Sequence, residues 1–356
     1  MDFKVPLSKP DITNLEIDAV NKVLKTPHLS LGKKYIEFQD LVAKFTGVKY
    51  AVATNSGTSA LHLIIRALGI KNGDEVITTP FSFIASSNCI IYEGAKPVFV
   101  DIDKQTFNID PKLIEGAITK KTKAILAVDV FSHPAQWDEL KKIAKKHKLF
   151  LIEDSAEALG SEYKKKKCGS FGDAGVFAFY PNKQITTGEG GMIVTNNKKI
   201  ADLCKSMSNQ GRKIGNGKWL EHVRLGYNYR LDEMSCAMGI AQMSRISEIV
   251  SKIPFYSKDA KLSWFVYVVL LSEELSKKRD YIISQMAKAS IQCSNYFQPI
   301  HLQLFYKKEF GYKRGDFPVS ETIGKRTLAL PFFNDLSESQ IDYVVDSLNK
   351  IISQIK

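Results

Sequence analysis

The sequence predicts an α/β fold, with one large domain followed by a smaller α+β domain. In the first two thirds, short β-rich apolar runs alternate with segments of helical periodicity, the pattern of strands covered by helices. In the last third, strands and helices alternate in the α+β manner. A length of 356 residues exceeds one average hydrophobic core, so two domains are expected. We place the large domain at residues 1–250 and the small domain at residues 251–356.

The composition is that of an ordinary globular protein, with 44% hydrophobic and 25% charged residues. The net charge of +12 is dominated by lysines in helix-like or turn-like runs, such as residues 141–148 and 164–167. No basic segment is interleaved with aromatic residues. The charge therefore predicts a solvated surface rather than a nucleic-acid partner, with local positive charge serving the substrate.

The five cysteines show neither a CxxC pair nor the spacing of a metal site. An odd, scattered count in a chain of this length predicts reduced thiols in the cytoplasm. The longest apolar run, Trp264–Leu271, is too short to span a bilayer, and no charged-then-apolar leader opens the chain. We expect no membrane segment and no metal.

Two helices are expected before the first strand. Asp11 is a candidate N-cap for the first helix, and Gly32 begins the second. The first strand, Val48–Thr54, ends at Asn55, and a small polar turn leads from it directly into an apolar helix, Ala60–Leu68.

This turn has the residues of a phosphate-binding site. The first N–H groups of a helix are unpaired, and the helix dipole favours an anion there. Thr58 and Ser59, after Gly57, can add hydroxyl donors. An ordinary N-cap explains the same residues, so both interpretations stay open.

An aromatic residue, Phe83, lies just past the end of the second predicted strand. At such a position an aromatic ring can lie flat on a heteroaromatic ligand, although a core phenylalanine is the commoner case.

A helix is expected to open within Phe131–Glu139 and run to His147. The next strands are expected at Glu75–Thr79, Lys96–Val100 and Ala124–Asp129.

Two carboxylates follow a buried strand, Phe150–Glu153. Asp154 stands at the C-terminal end of this strand, where open α/β sheets keep their ligand groups. Glu157 follows three residues later. A helix N-cap also explains Asp154, and a solvated surface position also explains Glu157.

A single lysine, Lys183, lies between two short apolar strands. Pro181 and Asn182 stop the first strand, Gly175–Tyr180, and a glycine-rich polar turn precedes the second, Met192–Thr195. A lysine at a strand tip, beside glycines that allow close approach, is poorly explained by packing. It is well placed to form a Schiff base with an aldehyde cofactor. On this stretch alone, a surface hairpin is an equal alternative.

The remaining elements have simpler patterns. They are expected as a helix from Asp232 to about Ile249, a strand at Leu262–Leu271, a helix at Arg279–Ala289, an aromatic-rich loop at Asn295–His301 and a last helix at Glu338–Ile355.

Five stretches, in order, resemble the sugar aminotransferases of the DegT/DnrJ/EryC1/StrS family. They read NSGTSALHL from Asn55, GDEVITTPFSFIASSNCI from Gly73, EDSAEALGS from Glu153, FAFYPNKQITTGEGGMIVTN from Phe177 and GYNYRLDEMSCAMGIAQ from Gly226. The resemblance implies a pyridoxal 5'-phosphate (PLP) enzyme of the aspartate aminotransferase fold, PLP type I. The large domain would contain a mixed, mostly parallel sheet flanked by helices.

The resemblance also implies roles for individual residues. Lys183 would hold PLP as an internal aldimine. Gly57, Thr58 and Ser59 would bind the cofactor phosphate, and Phe83 would stack on the cofactor ring. Asp154 would pair with the ring nitrogen, and Glu157 would contact the ring hydroxyl. Asn228 would contact the phosphate of the neighbouring subunit. The last role implies a homodimer in which each site is completed by the partner.

The implied reaction moves an amino group from L-glutamate to a keto group of a nucleotide-linked 6-deoxy-keto-sugar, with C4 as the first expectation and C3 as the alternative. A keto-sugar dehydratase dependent on PLP or its amine form is one rival, although relatives of that kind carry histidine in place of Lys183. A non-catalytic PLP-binding regulatory protein is the other.

The chain departs from the family pattern at three places. Ser132-His133 stands where members often carry Gly-Gln, and His133 is either a substrate-facing or a turn residue. Ala178 stands where a serine often donates to the phosphate. After Ser251 the chain is shorter than the family by a few tens of residues. We expect substrate specificity to depend on Asn295–His301, on partner residues and on the 210–222 loop with Gly211, Arg212, Asn216 and Trp219.

Overall fold

The computed structural model describes residues 3–215, 220–251, 255–256 and 259–355. The α-helices are α1 Asn14–Leu24, α2 Lys33–Thr46, α3 Gly57–Ala67, α4 Ala85–Ile91, α5 Pro111–Ala117, α6 Trp137–His147, α7 Lys198–Ser208, α8 Glu233–Ser244, α9 Ile246–Ser251, α10 Glu273–Ser276, α11 Arg279–Lys288, α12 Leu304–Phe310, α13 Pro318–Arg326 and α14 Glu338–Ile355. The strands are β1 Tyr50–Thr54, β2 Glu75–Thr78, β3 Lys96–Phe99, β4 Thr122–Val128, β5 Phe150–Asp154, β6 Glu162–Tyr163, β7 Lys166–Lys167, β8 Ala174–Ala178, β9 Gly191–Thr195, β10 Phe255–Tyr256, β11 Ala260–Leu262, β12 Tyr267–Leu270 and β13 Thr327–Leu330.

The central sheet has seven strands in the order β1-β9-β8-β5-β4-β2-β3. The neighbouring pairs β8-β5, β5-β4, β4-β2 and β2-β3 are parallel. Strand β9 runs antiparallel to both of its neighbours, β8 and β1. The sheet is therefore mixed and mostly parallel, as predicted. In the register of β4 and β5, Val128 lies opposite Asp154, so both strands end at the same edge.

Both faces of the central sheet are covered. Alternate residues of β4 belong to different hydrophobic clusters, because successive side chains of a strand point to opposite faces. Leu126 and Val128 pack in the cluster that includes α3 and α7, whereas Ile125 and Ala127 pack with Trp137 of α6. The chain thus forms a helix–sheet–helix arrangement, which leaves the strand ends as the accessible edge for a site.

Two smaller sheets accompany the central one. One has the order β10-β11-β6-β7, and the other pairs β12 with β13. The boundary at residues 250/251 stays a prediction, and contacts cross it, because β11 pairs with β6 and Val5 bridges to Ile291. No helix among the described residues is long and apolar enough to cross a membrane.

The first helix begins differently from the sequence prediction. The hydroxyl of Thr13 accepts a hydrogen bond from the N–H of Leu15, and Glu16 accepts one from the N–H of Thr13, which completes a capping box. The prediction that Asp11 caps this helix is therefore wrong. Asp11 instead forms an ion pair with Arg245 at 2.7 Å.

Two other predicted elements are divided. The helix predicted from Asp232 to Ile249 is divided into α8 and α9 at Arg245. The helix predicted to open within 131–139 begins at Trp137, inside that range, and runs to His147 as predicted; Phe131 and Ser132 before it have left-handed backbone conformations. The strand predicted at 262–271 is interrupted after β11, where the N–H of Ser263 donates to a serine hydroxyl instead of a strand neighbour.

Two fully buried carboxylates, Asp129 and Glu153, lie beneath the edge where β4 and β5 end. The hydroxyl of Ser155 lies 2.7 Å from Asp129 and 3.0 Å from Glu153, so it joins the two groups. Backbone N–H groups of Gly169 and Phe171, among others, donate to Glu153. Burial is the largest cause that raises the pKa of Glu153, and the negative charge of Asp129 raises it further. The folded protein therefore keeps a proton on this pair.

This buried proton predicts a dependence of stability on pH. The pKa of Glu153 is raised from an ordinary 4.5 to about 8, so the folded state binds more protons than the unfolded state between these values. The free energy of unfolding should then fall as pH rises through this range, by up to about 1.4 kcal/mol per pH unit. Glu153→Gln, which cannot ionise, should flatten this slope in denaturant titrations, even if it lowers stability at every pH. An unchanged slope would contradict the assignment.

Candidate active site

A cavity of about 510 Å³ opens at the edge where the parallel strands end. Its volume lies within the range of ordinary small-molecule sites. It brings together most of the residues predicted from the sequence. Those that line it are Gly57, Thr58, Phe83, Asp154, Glu157 and Lys183.

One wall of the cavity is the turn between β1 and α3. Ser56 caps the helix, since its hydroxyl accepts a hydrogen bond from the N–H of Ser59 at 3.0 Å. The N–H groups of Gly57 and Thr58 donate to no other described residue, so they are available to an anion. The Ser59 hydroxyl donates to the Asn55 side chain at 2.7 Å. It therefore stabilises the turn, and Ser59 does not line the cavity.

Small residues allow this turn to lie directly against β9 and β8. A Cβ atom on Gly191 would come within 2.5 Å of the Ser56 backbone, so only glycine fits there without a shift. A Cβ atom on Gly57 would come within 2.8 Å of the Cβ of Ala178. Ala178 itself lines the cavity without a hydroxyl, as the sequence indicated.

Asp154 is held at the end of β5 by two donors. The Ser86 hydroxyl donates to one carboxylate oxygen at 2.7 Å, and the N–H of Ala156 donates to the other at 3.2 Å. Burial raises the pKa of Asp154, while these donors and the positive charge of Lys183 oppose the shift. A cation placed in the cavity would favour the ionised form. The sequence prediction missed Ser86, because nothing local marks a serine in α4 as the partner of a residue in β5.

Lys183 and Glu157 form a close pair inside the cavity. Their Nζ and Oε1 atoms are 3.6 Å apart, and both side chains are largely buried. The N–H of Phe131 donates to the other oxygen of Glu157 at 3.0 Å. Burial raises the pKa of Glu157, and the charge of Lys183 opposes that shift. On its other side, Nζ lies 4.3 Å from the centre of the Phe265 ring.

Aromatic rings line part of the cavity, and the exposed ring of Phe83 lies at its mouth. Phe83 is 61% exposed although it is apolar, which leaves its ring free to contact a ligand. Phe265, Tyr296 and Phe297 reach the cavity from the C-terminal third. The sequence had singled out the loop that contains Tyr296 and Phe297, but it gave no signal for Phe265.

Asn228 does not line this chain's cavity. It is exposed, and its backbone carbonyl accepts a hydrogen bond from the Asn55 side chain at 3.4 Å, so it lies beside the turn of α3. His133 also lies outside the lining, with Nδ1 3.0 Å from the carbonyl of Pro134. In the predicted specificity loop, Asn216 and Trp219 are outside the described residues, as are residues 252–254 after Ser251.

The residues present fit PLP. The cavity combines an amine for the aldehyde, a carboxylate for the ring nitrogen and free N–H groups at a helix terminus for the phosphate. An exposed aromatic ring lies at the same mouth. No single one of these features is specific, but their convergence in one cavity is.

Comparison with known proteins gives the same result. The sequence model of the DegT/DnrJ/EryC1/StrS aminotransferase family matches residues 10–254 and 251–349. The chain belongs to this family. The two matched segments overlap at residues 251–254, next to the place where the sequence is expected to be shorter than the family pattern.

Similar proteins align over almost the whole chain. GDP-perosamine synthase of Escherichia coli O157:H7 is 36% identical, with 98% of this chain and 99% of the relative covered. The Campylobacter jejuni UDP-4-amino-4,6-dideoxy-N-acetyl-beta-L-altrosamine transaminase is 35% identical, with 99% and 98% covered. The PLP form of Streptococcus pneumoniae Spr1654 superposes with a TM-score of 0.93 at 26% identity, covering 100% of this chain and 99% of that one.

This member of the DegT/DnrJ/EryC1/StrS family is a PLP-dependent sugar aminotransferase with the aspartate aminotransferase fold. The predictions of family, fold class, enzyme class and cofactor are confirmed. The individual roles of the predicted site residues stay predictions, and the geometry above shows only where they lie.

Ser86→Ala tests whether the hydroxyl beside Asp154 supports cofactor binding. Without its donor, the buried carboxylate is harder to ionise and pairs less well with a ring nitrogen. We expect the Kd for PLP to rise about threefold to tenfold, measured by absorbance titration of the apo protein. Ser87→Ala is the matched control, because the Ser87 hydroxyl bonds to Ile84 and Tyr306 rather than to Asp154. Equal losses in both variants would contradict the assignment.

Proposed function

We propose that this enzyme transfers the amino group of L-glutamate to a keto group, at C4, of a nucleotide-linked 6-deoxy-keto-sugar. The observation on which the proposal depends is the placement of Lys183 in the cavity, 3.6 Å from Glu157 and beside the ionisable Asp154. A lysine amine in this setting can serve both as the covalent anchor of an aldehyde cofactor and as an acid–base group.

The names of the relatives support the sugar substrate and the position. One relative is a GDP-perosamine synthase, and another is a transaminase of a UDP-linked 4-amino-4,6-dideoxy sugar. Both names contain a nucleoside diphosphate, and the second places the amino group at C4 of a 6-deoxy sugar. The two nucleotides differ, so the proposal leaves the choice between GDP and UDP to a substrate screen.

Each side chain of the cavity has a distinct proposed task. Bound PLP supplies an aldehyde carbon for the amino group and a ring that accepts electrons. Lys183 Nζ would hold the cofactor covalently and, as a free amine, would move a proton between the donor carbon and the cofactor. Asp154 keeps the ring nitrogen protonated, and Glu157 contacts the ring hydroxyl. Phe83 stacks on the ring.

The phosphate is assigned to the turn at the start of α3. The free N–H groups of Gly57 and Thr58 point to this role, and Ser59 supports it from the turn, with its hydroxyl on Asn55. The helix dipole adds a favourable interaction with the dianion. The alanine at position 178 contributes no donor, so either another donor replaces the missing hydroxyl or the phosphate is bound less tightly.

We infer that this donor and further positive charge come from a second copy of the chain. Among the described residues that line the cavity, Lys183 is the only cation, whereas Asp154, Glu157 and Glu189 are acidic. An acidic lining of this kind cannot by itself attract glutamate and a nucleotide diphosphate. Asn228 is exposed close to the turn of α3. In a homodimer it would reach the phosphate of the neighbouring site.

The cytoplasm is the proposed compartment. All five cysteines are free and buried, which suits a reducing environment.

The absorption spectrum tests cofactor and donor together. The purified protein with PLP should show a band at about 400 nm, and L-glutamate should move it to shorter wavelength. Lys183→Ala should lose both the band and turnover with nucleotide keto-sugars. A band that ignores glutamate would contradict the proposed donor. Turnover at near-native rates in Lys183→Ala would contradict the role of the lysine.

A complementation experiment tests the contribution of Asn228 to the neighbouring site. Lys183→Ala subunits retain Asn228, and Asn228→Ala subunits retain Lys183, so a heterodimer has one site with both residues intact. Each single variant should be strongly impaired, and heterodimers isolated through two affinity tags should recover about half of the wild-type activity. Failure to recover activity in a confirmed heterodimer would place Asn228 in the site of its own chain, or outside the site altogether.

A further inference from the structure

Behind the Lys183–Glu157 pair lies a buried polar cluster formed by Ser132, Ser161, Gln184 and Ser263. All four side chains are buried, and none of them lines the cavity. Every hydroxyl and amide donor of the cluster has an acceptor within the cluster or on Glu157. The site as described above uses none of these residues.

The unusual member of the cluster is Ser132. Its φ angle is +68°, and the preceding Phe131 has φ of +53°, so two consecutive side chains occupy the left-handed region. A residue other than glycine is strained there, and such strain persists only where surrounding contacts hold it. Glycine, which often stands at this position in the family pattern, would adopt the same conformation freely.

The contacts that hold Ser132 converge on Glu157. The Ser132 hydroxyl donates to the backbone carbonyl of Glu157 at 2.5 Å, and the left-handed turn directs the N–H of Phe131 to the Glu157 carboxylate at 3.0 Å. The same short segment therefore grips both the backbone and the side chain of Glu157. Glycine at position 132 could keep the second contact but not the first.

Gln184 connects the contacts between Ser132 and Glu157 to Lys183. It is the next residue after Lys183, and its side-chain amide donates to the carbonyls of Glu157 and Ser263, both at 2.6 Å. The backbone at Lys183 and the backbone at Glu157 are thus tied to one buried amide group. Their separation is set by this tie as well as by the attraction between the two charges.

We propose that Ser132, acting with Gln184, is a positioning residue that fixes the distance between Lys183 Nζ and the Glu157 carboxylate. It touches neither the cofactor nor the substrate, and it acts only through the residues it holds. The proposal rests on the proposed roles of Lys183 and Glu157. Its consequence is that the hydroxyl sets how close the Glu157 carboxylate lies to the nitrogen that would bear the cofactor, 3.6 Å in this structure.

Two substitutions at one position separate the hydroxyl from the backbone strain. Ser132→Ala removes the hydroxyl and keeps the strained conformation, whereas Ser132→Gly removes both. We expect Ser132→Ala to have a lower Tm than the wild type, and Ser132→Gly to be more stable than Ser132→Ala. Both variants lack the hydroxyl that contacts Glu157. If this hydroxyl positions Glu157, both variants should nevertheless show the same displacement of the Glu157 carboxylate.

The change is measured on the PLP-loaded protein by titrating its visible absorbance with pH, and on the apo protein by PLP binding. Both variants should show an apparent pKa of the cofactor-bearing nitrogen lower by about half a unit or more, since a displaced carboxylate holds the proton less tightly. The Kd for PLP should rise about threefold to tenfold. Ser161→Ala is the control, because its hydroxyl donates to the Ser132 carbonyl rather than to Glu157, and it should lower Tm without moving the absorbance titration.

The outcomes are distinct. Variants at position 132 that lose Tm but titrate as the wild type would make the serine purely structural and overturn the proposal. An equal shift in Ser161→Ala would overturn it as well, because the effect would then belong to general loosening. A wild-type protein without a visible band would instead refute the proposed function, and the positioning role would fall with it.

Discussion

The register of two parallel strands determines where the chemistry of this protein occurs. Because Val128 of β4 lies opposite Asp154 of β5, both strands end at one edge, and the chain that leaves each strand must turn across the same space. Three parts of the site lie at this edge: the carboxylate of Asp154, the contacts that hold Glu157 and the cavity wall formed by the turn of α3. A slip of one residue in β5 would turn Asp154 to the opposite face of the sheet.

Negative charge is concentrated at this edge in two layers. The inner layer, Asp129 and Glu153, is sealed from solvent and satisfied by backbone and hydroxyl donors, so it stabilises the connections that follow both strands. The outer layer, Asp154 and Glu157, faces the cavity, where Lys183 is the only described cation of the lining. A cationic ring nitrogen would therefore enter a site that favours positive charge, whereas the phosphate, as proposed, would depend on helix N–H groups.

Local chemistry explains which parts could be predicted from the sequence. Three features of the site can be recognised from their immediate neighbours in the sequence. They are the strand–turn–helix at Gly57, the carboxylate that ends β5 and the lysine between two apolar strands. Ser86 and Phe265 cannot be recognised in this way, because they reach the site from other elements and their neighbours in sequence are unremarkable. Ser132 was noticed only as a departure from the family, since a hydroxyl partner twenty-five residues away leaves no local pattern. The interruption of the strand predicted at 262–271 has such a cause, because the N–H of Ser263 donates to the distant Ser161 hydroxyl.

The pairing of β1 with β9 also has a consequence for biosynthesis. The turn proposed to bind the phosphate follows β1 directly, but β1 has no neighbour in the sheet until Gly191–Thr195 has left the ribosome. Val5 must wait still longer for Ile291. During translation the early strand therefore remains an unpaired edge, which is exposed to aggregation or to chaperone capture. The cofactor pocket can close only after most of the polypeptide has been made.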